Sequence, residues 1–284
     1  MRWRELRKSS NVRDLRGRGT RAGLPLAIGG RGGGIGVILL LIIAALVGGP
    51  EVLNLLVDDG SVDYGPRTVP QGAPADEAGQ FTAAILGSTE DVWSRIFAAQ
   101  GSRYVPPELT LFDGAVQSAC GYASSAVGPF YCPADSRVYL DTAFFDELAR
   151  MGGPGDFAQA YVIGHEIGHH VQNLSGTAAR VREARARAAG GTAANRLQVA
   201  MELQADCYAG VWAHHANRRA NVLEPGDVEE GLAAAAAIGD DRLQRNAGRT
   251  VAPDSFTHGS SAERVEWLRR GLETGDPAAC DTFE

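Results

Sequence analysis

The sequence predicts a mainly helical α+β domain joined to one N-terminal transmembrane helix. Residues 32–50 carry no charged side chain and centre on the apolar run from Ile35 to Val47, bracketed by Arg31 and Glu51. Several later stretches repeat apolar residues at helical spacing, as Phe81, Ile85, Val92, Trp93 and Ile96 do within 81–99. Two short stretches, 108–114 and 137–141, alternate in part at strand spacing.

Residues 1–31 hold nine basic and two acidic side chains, a net of +7. The whole chain has a net charge of -7, so the remaining 253 residues carry -14. The arm is Arg-rich, punctuated by Gly and Ser, and has no clear amphipathic period, so disorder is expected there. Its charge serves as an orientation signal that holds it in the cytoplasm. No nucleic-acid partner is needed to explain it. At about 1.5 Å per residue the run 32–50 spans about 28 Å, close to the hydrocarbon thickness of a bilayer. A buried core helix and a cleaved signal peptide are the other readings. The run is long for a signal peptide, and no clear small-x-small cleavage site follows it. A retained span makes the protein single-pass, with everything after residue 50 outside the cytoplasm.

Residues 51–79 contain Asp58-Asp59-Gly60, Pro66, Pro70, Gly72 and Pro74 and read as a linker. The folded domain is expected from 80 to 284. Helices are expected at 81–99, 157–174, 178–189, 195–217, 228–240 and 262–272, and strands at 108–114 and 137–141. Four cysteines, Cys120, Cys132, Cys207 and Cys280, fit two disulfides in an oxidising compartment. Cys120–Cys132 is the local pair, which leaves Cys207–Cys280 by elimination. No CxxC occurs, which argues against a cysteine zinc site or a thioredoxin-type redox motif.

The chemistry concentrates in two short motifs. His165-Glu166-Ile167-Gly168-His169 is an HExxH sequence. On a helix, positions i and i+4 lie one turn apart on one face, so two imidazoles can converge on zinc at about 2.0–2.1 Å. Glu166 sits about 100° further round, at the edge of the same site, placed to take a proton from an activated water. Val162, Ile163, Ile167 and Val171 cover the other faces, as a buried helix requires. The second motif is Glu202-Leu203-Gln204-Ala205-Asp206, with carboxylates again at i and i+4. Glu202 is the candidate third metal ligand. Asp206 is the candidate acceptor for the far nitrogen of a ligand histidine. An ordinary charged helix face is the plainer alternative for this pair.

HExxH followed by ExxxD resembles the gluzincin arrangement. More closely, the chain resembles the bacterial family of neutral zinc metallopeptidases. The matching segments are MRWRELRKSSNVRD at 1–14, CGYASSAVGPFYCPADSRVYLD at 120–141, AYVIGHEIGHHVQN at 160–173, ELQADCYAG at 202–210 and SFTHGSSAERVEWLRRGL at 255–272. The resemblance implies a zincin-type fold and a peptidase. It also implies that an upstream edge strand binds substrate, for which 137–141 with Tyr139 is the candidate. His258 lies in Ser255-Phe256-Thr257-His258-Gly259, similar to a Thr-His motif downstream of the metal site in membrane-associated gluzincins. It reads either as an oxyanion donor or as a loop histidine. Arg264 is a candidate to support it or to bind a substrate carboxylate. His170, His214 and His215 read as structural.

The sequence thus describes a membrane-anchored zinc peptidase that acts on peptides or proteins. Its metal ligands are His165, His169 and Glu202, with Glu166 as general base and His258 as a second catalytic candidate. The rival is a catalytically silent zinc-binding scaffold tethered to a membrane. Its mark would be loss of the glutamate in HExxH, and Glu166 is present.

Overall fold

The computed structural model describes residues 1–17 and 72–283. Strand β1 (Val12–Asp14) precedes helix α1 (Glu77–Ala99), which Asp76 caps by accepting from the Gly79 N–H at 3.0 Å. Strands β2 (Glu108–Phe112), β3 (Ala115–Ser118), β4 (Gly121–Ser124), β5 (Phe130–Cys132) and β6 (Arg137–Asp141) follow. The rest is helical: α2 (Ala143–Arg150), α3 (Asp156–Leu174), α4 (Thr177–Arg187), α5 (Gly191–Ala220), α6 (Asp227–Ala237), α7 (Asp240–Asn246) and α8 (Ser261–Thr274). A mainly helical α+β architecture is what the sequence patterning predicts.

Among the described residues the main sheet runs β1–β2–β6–β5. β1 and β6 pair parallel to β2, while β5 pairs antiparallel to β6. β3 and β4 form a separate antiparallel hairpin. β6 is therefore an interior strand, and the edge beside the helices is β5. The sequence could not assign that edge to β5, because three residues are too few to show alternation.

Helix α3 lies at the centre of the helical layer, against α1, α5 and α6. Its approach to α5 is close because Gly168 has no side chain. A Cβ there would meet the Ala205 Cα and carbonyl oxygen, each at 2.9 Å. α5 crosses α8 just as closely, with Gly210 and Gly271 facing each other's backbones. Trp93, Phe157, Tyr161 and Trp212 fill the space around these crossings and are almost fully buried. Ser260 and Glu263 start α8 with reciprocal backbone bonds, a capping box, and Gly275 ends it in the left-handed region at φ 62. The stretch 228–240, expected as one helix, breaks after Ala237, where Gly239 is extended and α7 begins afresh.

Residues 1–17 are part of this domain, against the expectation of a separate disordered arm over 1–31, whose remainder, 18–31, lies outside the described residues. Residues 1–17 and 72–283 belong to one compact unit. Trp3 packs edge-on against Phe81. Ser9 Oγ and Asn11 Nδ2 donate to Glu90 at 2.6 and 2.8 Å. The Met1 ammonium donates to both carboxylate oxygens of Asp156, at the start of α3, at 2.8 Å.

This corrects the membrane assignment. A single crossing between residues 17 and 72 would place β1 and β2 on opposite sides of a bilayer. Yet β1 pairs with β2, and the Gly72 N–H donates to the Val12 carbonyl at 3.0 Å. A cytoplasmic arm joined by one span to an extracytoplasmic domain is incompatible with that pairing. Among the described residues no helix is long and apolar enough to cross a membrane. The run 32–50 itself lies outside the described residues.

Two disulfides form, Cys120–Cys132 and Cys207–Cys280. The first ties the β3–β4 hairpin to β5, and the second ties α5 to the C-terminal segment. Such bridges persist in oxidising compartments. Thiol titration of the denatured, unreduced protein should find no free thiol. Replacing Cys207 and Cys280 together by Ser should cost about 4 kcal/mol, against about 3 kcal/mol for the shorter loop. The separations that set this order are 73 and 12 residues.

Candidate metal centre

Helices α3 and α5 bring three donor atoms together. Glu202 Oε2 lies 3.2 Å from His165 Nε2 and 3.5 Å from His169 Nε2. Ligand atoms of the three residues all fall within 4.8 Å of one another. His165 and Glu202 are buried, and His169 is nearly so. Two imidazoles and one carboxylate, converging from largely buried side chains, match the donor set and number of a catalytic zinc site. A second acidic group, Asp156, Asp227 and Glu230, also has donor atoms within 4.8 Å of one another. There the Met1 ammonium supplies the counter-charge, approaching Asp227 at 3.4 Å.

The far nitrogens fix which imidazole nitrogen faces the centre. His165 Nδ1 donates to Asp206 Oδ1 at 2.8 Å. A carboxylate only accepts, so Nδ1 keeps its proton and Nε2 is the nitrogen left to exchange its proton for a metal. His169 is held differently. Its Nδ1 donates to Gln172 Oε1 at 2.9 Å. The Gln172 amide nitrogen donates to the Met201 carbonyl at 2.7 Å, which settles the amide orientation. One histidine of the pair thus rests on a carboxylate and the other on an amide.

Asp206 is fully buried and saturated. Its Oδ1 accepts from Tyr161 at 2.5 Å and from Arg264 Nη2 at 2.9 Å, besides His165. Its Oδ2 accepts from Arg264 Nε at 2.8 Å. Arg264 is 2% exposed and also donates to the Tyr161 oxygen and the Ile238 carbonyl. Its guanidinium is therefore committed to Asp206 and supports neither His258 nor a substrate carboxylate. Tyr161 and Gln172 were not singled out in the sequence. The signal for Tyr161 was available: it stands one turn before His165 on the stripe 161, 165, 169.

Burial opposes charge on both histidines, but the carboxylates outweigh it. Asp206 and then Glu202 hold the metal-free His165 at about 10, and Glu202 raises His169. Burial would raise Asp206, yet Arg264 and His165 pull it down to about 2. The folded pKa of His165 lies above its ordinary 6.5. Its contribution to stability is therefore complete below about 6.5 and is lost as pH rises through about 10. A metal taking Nε2 would have to displace that proton, so its affinity should rise with pH across this window. Calorimetry of zinc binding near pH 7.5, in buffers of different ionisation enthalpy, should report release of about one proton or more. A binding heat independent of buffer would contradict the assignment.

His165, His169 and Glu202 line a cleft of about 560 Å³. Glu166, 7% exposed, lines it beside both histidines. His258 lines it from the loop before α8. The Asp240 carboxylate holds that loop, accepting the backbone N–H of Thr257 and His258 at 2.6 Å and of Gly259 at 3.1 Å. The His258 ring approaches Asp240 Oδ1 at 3.2 Å and is half exposed. Edge strand β5 contributes Phe130 and Tyr131. His170, by contrast, is buried away from the centre and ties Tyr131 to the Val105 carbonyl. His214 and His215 bond the Leu272 and Gly275 carbonyls.

Comparison with known proteins agrees with the donor set. A family model described as "Putative neutral zinc metallopeptidase" matches residues 1–283. The chain is 46% identical over 290 residues to the Escherichia coli (strain K12) protein named "Uncharacterized protein YpfJ", covering 100% of this chain and 99% of that one. It is 44% identical over 224 residues to "Uncharacterized protein Rv2575" of Mycobacterium tuberculosis (strain ATCC 25618 / H37Rv), covering 75% and 73%. No solved structure matches the chain.

Proposed function

The chain belongs to the neutral zinc metallopeptidase family, and from that premise we propose that it hydrolyses peptide bonds at a zinc ion held by His165, His169 and Glu202. The observation that carries this is the convergence of the two Nε2 atoms and Glu202 Oε2 in a cleft that Glu166 also lines. When bound, zinc supplies Lewis acidity and lowers the pKa of water to about 7.

The protein's residues divide the remaining work. Asp206 and Gln172 hold the imidazoles so that Nε2 faces the centre. Gln198 donates to Glu202 Oε1 at 2.8 Å, which leaves Oε2 for the metal. Glu166 takes a proton from the attacking water and passes it to the departing amine as the C–N bond breaks. His258 donates a hydrogen bond to the oxyanion that develops on the carbonyl oxygen. The edge of β5, unpaired among the described residues, pairs with the substrate main chain, as an extended peptide adds to an edge strand. The substrate is a peptide or protein. Zincin-type architecture belongs to the same proposal.

The test is hydrolysis of a mixed peptide library by the purified full chain. Activity should disappear with a chelator and return when zinc is restored. Hydrolysis indifferent to the chelator would overturn the zinc mechanism, and none by the zinc-loaded protein would overturn the peptidase reading and favour a silent zinc-binding scaffold.

A further inference from the structure

The support of His169 does not end at Gln172. Gln172 is fully buried, and its amide nitrogen donates twice, to the Met201 carbonyl at 2.7 Å and to Gln204 Oε1 at 3.2 Å. Gln204 is buried too, and its amide nitrogen donates to the Cys280 carbonyl at 2.9 Å. A backbone carbonyl only accepts, so these two carbonyls orient both amides. Cys280 turns the Gln204 oxygen toward Gln172, and Met201 turns the Gln172 oxygen toward His169. Three hydrogen bonds therefore run in one sense from His169 Nδ1 to the Cys280 carbonyl.

That sense matters for a metal. Facing an amide oxygen, His169 Nδ1 can only donate, and Nε2 is the nitrogen left for a ligand role. Turning the Gln172 amide over would set N–H against N–H. Nδ1 would then have to accept, and the ring proton would move to Nε2, on the metal side. The turned amide would also press its oxygen against two buried acceptors, the Met201 carbonyl and Gln204 Oε1, each at a cost. Without Gln204 only one of those penalties remains.

The far end of this path lies on the C-terminal segment, which is tied to α5 on either side of Gln204. Cys280 is bridged to Cys207, and Thr282 Oγ1 donates to the Ala200 carbonyl at 2.6 Å. Beside it opens a cavity of about 660 Å³, lined among others by Val181, Gln204, Tyr208 and Ala278. Packing does not close over the segment there, so the bridge and the hydrogen bonds hold it.

We propose, on the zinc assignment above and independently of peptide hydrolysis, that Gln204 is a positioning residue of the metal centre, through which the disulfide-tied C-terminal segment sets His169. It touches neither metal nor substrate and acts through Gln172.

The test is the zinc affinity of the purified full chain, by competition with a chromogenic chelator at one pH. The variants are Gln204→Met, Gln172→Met and both together, since methionine keeps the side-chain length and removes the hydrogen bonds. Gln172→Met should weaken zinc binding about 10–100-fold, the usual effect of removing a ligand's outer partner. Gln204→Met should weaken it about tenfold in wild type, but less than about twofold once Gln172 is gone. A merely structural role would give the same loss in both backgrounds. That result, or a loss below about twofold in wild type, would overturn the proposal. Cys207→Ser with Cys280→Ser, compared at a temperature where unfolding scans show it folded, should also bind zinc more weakly. Unchanged affinity would remove the C-terminal segment from the site. His169→Ala separates the two readings. If it binds zinc like wild type, the zinc assignment falls and this proposal with it; if it loses zinc, the assignment stands and the Gln204–Gln172 comparison decides.

Discussion

Glu166→Gln should retain zinc and lose about 10²–10⁴ in kcat, the usual contribution of a positioned general base. The substitution keeps the shape of the side chain and removes only its ability to accept a proton. Glu166 shares the cleft with His165 and His169 but is not part of the converging donor set. Metal affinity should therefore move little, and KM should stay near its wild-type value. Zinc content by elemental analysis and steady-state kinetics on one preparation separate the two effects. Turnover within about tenfold of wild type would remove Glu166 from the mechanism.

The largest effect on stability is expected from Arg264→Met. Arg264 and Asp206 form a bidentate pair with neither side chain exposed beyond a few per cent. Removing the guanidinium strands a buried carboxylate, which typically costs about 3–5 kcal/mol. Denaturant unfolding of the metal-free protein should show a loss of that size. Adding Asp206→Leu should recover a substantial part of it, because the stranded charge is then gone. Arg264→Lys should recover less, since an ammonium cannot make the two parallel bonds. A loss under about 1 kcal/mol for Arg264→Met would mean that water reaches Asp206 freely.

The parts of this site that were legible in the sequence are those set by helical spacing. His165 and His169, like Glu202 and Asp206, stand at i and i+4, so local geometry fixes which face they share. The family resemblance joined the two motifs, which lie far apart in the chain. Gln172 escaped notice because an amide three residues after a histidine carries no special signal. Arg264 was visible but misread. It lies one turn before Leu268 and two before Leu272, on the buried stripe of α8, and a charge on that stripe calls for a buried partner.

The N-terminal segment was misread for a different reason. Its Arg-rich composition suits a solvated arm, but the arginines find acidic partners across the fold. Arg7 meets Glu90 and Asp91, and Arg16 meets Asp14 and Asp76. β1 is three residues long and pairs with residues about a hundred positions away, as in Val12 against Leu109. Neither the short strand nor its distant partner leaves a periodic trace. The topology inferred from the run 32–50 failed because it assumed that the chain on either side could be treated separately.

The claim beneath all of this is that His165, His169 and Glu202 hold one zinc ion. X-ray absorption at the zinc edge of the purified full chain tests it most directly, together with metal content of the His165→Ala and His169→Ala variants. About one zinc per chain is expected, with nitrogen and oxygen ligands at about 2.0–2.2 Å, a two-imidazole scattering pattern and no sulfur near 2.3 Å. Each alanine variant should lose the metal. A sulfur-ligated zinc, or full occupancy in both variants, would contradict the assignment.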